Sequence, residues 1–116
     1  MKLEHQLSSL EPSKKLKELG VKQESLFWWY DGELEYHSDS QPSKSTFEQC
    51  SAFTVAELGE MLPIGIHTYQ RPLDGWGCLS EHQFGKDIIE VEKKMADAMA
   101  KMLIYLLEHG LLKDPN

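Results

Sequence analysis

Five histidines (His5, His37, His67, His82, His109) and two cysteines (Cys50, Cys78) are the side chains of this 116-residue sequence best suited to metal binding or nucleophilic attack. Zinc sites draw on pairs spaced C-x2-C, H-x3-H or HExxH, which a turn or one helix face brings together. No such pair occurs. His67, Cys78 and His82 could meet only through the fold, as any residues of adjacent strands could. A cysteine beside a histidine can serve as a nucleophile pair. Cys50 precedes a helix start, where the helix dipole lowers a thiol pKa. Cys78, between Gly77 and Leu79, reads as inert core in a strand. Gly75-Trp76-Gly77 is only a fragment of a glycine-rich cradle, and the nineteen acids single out no carboxylate pair. The expectation is no catalytic residue, no metal and no cofactor.

A second motif is half present. In Thr54-Val55-Ala56-Glu57 the Thr54 hydroxyl and the Glu57 carboxylate make a capping box, and Val55, Leu58, Met61 and Leu62 follow at helical spacing. A DNA-reading helix-turn-helix needs a tight turn and a second, basic helix after this one. Pro63-Ile64-Gly65-Ile66-His67-Thr68-Tyr69-Gln70 reads instead as a stop followed by a strand.

Composition narrows the partners. Residues 1–24 carry five Lys and four Glu, and residues 25–116 carry seven basic against fifteen acidic side chains, so the body holds −8 of the net −7. An acidic body repels phosphate, which makes nucleic acid an unlikely partner unless Lys14, Lys15 and Lys17 act alone. Such a cluster more often forms the solvated face of a helix. No apolar run reaches the ~18 residues of a membrane span, and Met1-Lys2-Leu3-Glu4-His5-Gln6 leads into no secretory core. Two cysteines without CxxC spacing fit reduced thiols in a cytoplasm. The length fits one domain, residues 1–116.

The elements that would position any site follow from pattern. Ser9 to Gly20 predicts a short helix with Ser9 as N-cap, Pro12 in the first turn and Gly20 as its stop. The run Gln23-Glu24-Ser25-Leu26-Phe27-Trp28-Trp29-Tyr30, then Asp31-Gly32, then Glu33-Leu34-Glu35-Tyr36-His37 predicts a hairpin. Residues 38–49 form a polar loop. After the helix at 54–62 come strands at 65–70 and 76–79, joined by a turn at 71–75. A loop over 80–85 leads to a long helix from about Ile89 to His109, with Val91, Met95, Ala98, Met99, Met102, Leu103, Leu106 and Leu107 on its apolar face. Glu90, Lys93, Lys94, Asp97 and Lys101 form its solvated face, and Gly110 with Leu111 ends it. The class is α+β: a small antiparallel sheet of about four strands packed by two short helices and one long C-terminal helix.

Strand alternation puts Leu26, Trp28 and Tyr30 on one face and Phe27 and Trp29 on the other. Helices covering one face would leave a tryptophan on the open one, unless the 38–49 loop or the N-terminus folds over it. A packed tryptophan hides about 150–250 Å², and exposed apolar patches mark interfaces. The expected binding surface is Trp28 or Trp29 with Tyr30, Tyr36, Tyr69 and Trp76.

Three blocks carry a resemblance: Lys14 to Trp29, Ser51 to Pro63, and Ala100 to Leu111. Together they resemble a family of short uncharacterised proteins of bacteriophages and prophage regions, including those of gut Bacteroides-type bacteria. The resemblance implies the cytoplasm of a bacterial host and a role in phage biology, and it carries no activity and no site residues. The expected function is a small phage or prophage accessory protein that binds another protein, or itself as a homodimer. The alternatives are a DNA-associated regulator using helix 54–62 with the Lys14, Lys15, Lys17 face, and a small enzyme using Cys50 or a histidine.

Overall fold

A computed structural model of the chain describes residues 3–30, 32–36, 49–72, 75–81 and 87–112, without the side chains of Leu3, Glu4, Glu35 and Tyr36. Asp31, residues 38–48 of the polar loop, 73–74 of the second turn and 82–85 of the third loop lie outside this set. The α+β class holds. Among the described residues, six strands form two antiparallel three-stranded sheets, in place of one sheet of about four.

The first sheet has the order β2-β1-β3, from β1 (Phe27–Tyr30), β2 (Glu33–Tyr36) and β3 (Gln49–Ala52). Tyr30 pairs with Glu33 across the predicted two-residue turn, where Gly32 has a φ of 81° that a side chain would resist. β3 escapes pattern reading because Gln49-Cys50-Ser51-Ala52 contains no β-branched residue. The second sheet has the order β4-β5-β6, from β4 (Ile66–Gln70), β5 (Trp76–Ser80) and β6 (Ile88–Glu92).

β6 corrects the predicted C-terminal helix. Val91, Met95 and Ala98 stand at helical spacing, yet the helix α3 spans only Met95–Glu108. Ile88-Ile89-Glu90-Val91-Glu92 pairs with β5 instead, as its β-branched residues favour. Glu90 therefore lies on a strand and not on the solvated face of the helix. Asp97, expected on the solvated face, is buried.

Met99, Met102, Leu103 and Leu106 of α3 are buried at the centre of the core with Leu16, Phe53, Leu58, Cys78 and Ile88. Two further helices pack on α3: α1 (Leu10–Glu18) and α2 (Val55–Met61). The capping box of α2 is formed, with Glu57 N–H donating to Thr54 Oγ1 at 3.0 Å and Thr54 N–H to Glu57 Oε1 at 2.8 Å. α1 and α3 end alike. Gly20 and Gly110 take positive φ, while Val21 N–H reaches Leu16 O at 3.0 Å and Leu111 N–H reaches Leu106 O at 2.8 Å. These are two Schellman stops at the predicted glycines.

Ser9 occupies the N-cap of α1 without making the usual side-chain cap. Its hydroxyl and its backbone N–H donate instead to the two oxygens of Asp97, at 2.6 and 2.7 Å. One carboxylate in the first turn of α3 thus also closes the start of α1, where negative charge suits both helix dipoles. Next to it, Ser8 Oγ accepts from Phe53 N–H at 2.9 Å and lies 2.7 Å from Ser13 Oγ. The segment after the short 3-10 helix Leu3–Gln6 is fastened to the end of β3 in this way.

Candidate protein-binding face

Strand register decides which side chains share a face. In the second sheet, Trp76, Cys78 and Ser80 of β5 pair with Glu92, Glu90 and Ile88 of β6, and this row set turns toward α3. The opposite row set pairs His67 with Leu79 and Leu79 with Ile89, then Tyr69 with Gly77 and Gly77 with Val91. This outer face is apolar and open. Ile89 is 54% exposed, Val91 39% and Tyr69 37%.

β6 is inverted relative to the usual alternation of a half-buried strand. Its β-branched residues 89 and 91 face outward, and its two carboxylates turn toward the helix side. There Glu92 pairs with Lys101 of α3. Burial raises the Glu90 carboxyl above its ordinary range, with Lys101 pulling it down and Glu92 adding to the rise. Apart from the buried Ile88, β6 thus places ionic groups beside its own helix and aliphatic ones toward solvent.

Tyr69 completes the face. A Cβ at Gly77 would overlap the Tyr69 ring, so the ring lies over the backbone of β5 in a slot only glycine leaves open. An aromatic ring over a strand glycine covers backbone that would otherwise be bare.

β4 overhangs the molecule. α3 crosses β5 and β6 and barely reaches β4, and His67, Thr68, Tyr69 and Gln70 are all exposed. Among the described residues, no segment pairs with the outer edge of β4.

No protein-family model matches the chain, and no curated protein or solved structure matches it.

The structure divides the six residues expected to form one surface between two sheets. Trp28 is 4% exposed, and its indole N–H donates to Ser25 O at 3.0 Å. Trp29 and Tyr30 are half-buried, and the Trp29 indole donates to Ser8 O at 3.0 Å. The N-terminal segment therefore lies against Trp29. Trp76 is half-buried on the α3 side of the second sheet, opposite to the face carrying Tyr69. The Tyr36 side chain lies outside the described residues. Ile89 and Val91 were not expected at a surface, because residues from 89 onward were read as helix. The alternation Ile89-Glu90-Val91-Glu92 is the signal that would have placed them.

Several residues of the alternative chemistries are engaged elsewhere, while His67 stands exposed on β4 and His37 and His82 lie outside the described residues. Cys78 is fully buried, and burial first, with the nearby Glu90 charge second, pushes its thiol up to about 12. It stays protonated at neutral pH and is no nucleophile. Cys50 is buried within β3, opposite Trp29, and the strand separates it from the start of α2. His109 stacks on Tyr105, with ring centroids 4.0 Å apart. Among the described residues, no three of His, Cys, Asp and Glu converge as a metal set. Lys15 pairs with Glu108 at 3.2 Å and Lys17 donates to Gln49 O at 2.6 Å, so this lysine face is partly spent on internal contacts. Among the described residues, no helix is long and apolar enough to cross a membrane.

Proposed function

We propose that this chain is a small accessory protein of phage or prophage origin that acts in the host cytoplasm by binding another protein through the outer face of β4-β5-β6. The observation that carries the binding reading is the inversion of β6, with Ile89 and Val91 outward and Glu90 and Glu92 inward. A strand serving only its own core gains by the reverse arrangement, since aliphatic burial contributes roughly 25 cal/mol per Å². The phage setting rests on the resemblance of the three sequence blocks. The acidic balance of residues 25–116 supports a protein partner over nucleic acid.

The test compares wild type with Ile89→Glu, both immobilised and exposed to an extract of a gut Bacteroides host with and without phage induction. Ile89→Glu keeps the fold to within about 0.5 kcal/mol, as an exposed substitution should. A protein held by wild type and released by the variant identifies the partner and its contact. Identical retained sets on both would sink the reading.

A further inference from the structure

The open edge of β4 names one partner of the second sheet. Arg71 N–H bonds to Gly75 O at 3.1 Å, in register with the ladder in which Tyr69 faces Gly77 and His67 faces Leu79. Antiparallel ladders alternate bonded and non-bonded pairs. Residues 67, 69 and 71 therefore spend their backbone groups on β5. Ile66, Thr68 and Gln70 present their N–H and C=O groups to the side on which, among the described residues, no strand pairs.

We propose that β4 pairs with β4 of a second copy about a two-fold axis at Thr68, joining the two second sheets into one six-stranded antiparallel sheet. With the axis at Thr68, Ile66 meets Gln70 of the other copy, Thr68 meets its own equivalent, and Gln70 meets Ile66. Three pairs exchanging two bonds each give six main-chain hydrogen bonds. A shift by one residue would aim the committed backbone groups of 67 and 69 at the partner, and a shift by two would pair one end of each strand with residue 64 or 72, outside β4, so the register centred on Thr68 makes the most bonds. Between these pairs, His67 stands opposite Tyr69 of the other copy at a close, non-bonded position on the outer face.

Charge selects β4 among the described sheet edges. Residues 61–72 contain no acid, and they carry His67 and Arg71 in a chain of net charge −7. β2 carries Glu33 and Glu35, and β6 carries Glu90 and Glu92, so self-pairing at either edge would set carboxylate against carboxylate. β3 is held on its side by α1. β4 also lacks the lysine, proline or bulge by which proteins usually blunt a bare edge. The two-fold leaves both outer faces on the same side of the joined sheet, so two copies of the proposed binding face become one longer surface.

The inference rests on the second sheet being the contact sheet, and the variants separate the two ideas. Solution mass is measured by light scattering from low micromolar to several hundred micromolar protein, for wild type, Thr68→Pro, Thr68→Glu and Ile89→Glu, with circular dichroism to establish folding. Thr68 gives no N–H to β5, so proline there leaves the monomer ladder intact. Wild type should double in mass, Ile89→Glu should dimerise like wild type, and Thr68→Pro should raise the dimer dissociation constant by about tenfold or more. If Thr68→Pro fails to fold, Thr68→Glu carries the same expectation, because it sets two carboxylates together at the axis. A wild type that stays monomeric at every concentration overturns the pairing, while the captured-protein experiment still decides the outer face. A dimer broken by Ile89→Glu and not by either Thr68 variant overturns edge pairing in favour of packing face to face. A mass that climbs past the dimer overturns the closed two-fold.

Discussion

The two sheets share a plan and differ in what happens to the side chains that could face solvent. Each has three antiparallel strands, and each offers aromatic or β-branched residues on both faces. In the first sheet both indoles are tied to carbonyls, Trp28 to Ser25 and Trp29 to Ser8. In the second sheet α3 covers one face only, and Ile89, Val91 and Tyr69 remain open. The difference does not lie in hydrophobicity, since the first sheet has the richer run. It lies in whether a second segment of chain is fastened across the sheet. Ser8, Ser9 and Asp97 do the fastening, by hydrogen bonds between the N-terminal segment, β3's end and α3. An aromatic strand stays open to solvent only where nothing in its own chain is anchored over it.

The largest effect that would break this contrast is expected at Trp28. Trp28→Ala should cost about 3–5 kcal/mol, as for a buried aromatic, measured as the shift of the urea midpoint at constant slope. A cost near that of an exposed residue would mean that Trp28 is available as a contact after all. Next in size is Asp97→Ala, which removes the acceptor of both Ser9 bonds and leaves a partly buried N–H unmet. Bonds to a charged group are worth about 1.5–3 kcal/mol each, and their loss is not additive, so about 2–3 kcal/mol is expected. Asp97→Asn should recover part of it. Equal losses in the two variants would show that the carboxylate charge, rather than its acceptor geometry, holds the N-terminal segment.

Much of the fold was legible because local rules fixed it. The glycine stops of α1 and α3, the capping box of α2 and the Asp-Gly hairpin are each decided within a few residues, and each is present. The proposed binding face was not legible, for two physical reasons. Residues 88–92 match a helix in apolar spacing and a strand in β-branching, and only pairing with β5 decides between them. Asp97 reads as a surface charge until residue 9 arrives, 88 positions away in sequence, to bury it. The fate of the tryptophans hinged on the same long-range contact. Alternation separated Trp28 from Trp29 without revealing that Ser8 would stand against the second indole.

The smallest of these effects falls at Gly77, and it tests whether the outer face is built or merely left over. A methyl group at Gly77 collides with the Tyr69 ring, but that ring is the free end of a side chain 37% exposed. It can swing out, so Gly77→Ala should cost only about 1 kcal/mol, partly offset by the glycine's lost backbone freedom. In Tyr69→Ser the slot is empty and the same methyl should be harmless or slightly stabilising. The double-mutant cycle therefore gives a coupling of about 1 kcal/mol if the ring sits on Gly77. A coupling near zero would mean the ring spends its time elsewhere, and the face would lose its aromatic member. With the coupling present, partner capture by Gly77→Ala should fall while its fold persists, because displacing Tyr69 changes the shape of the face and leaves the first sheet untouched.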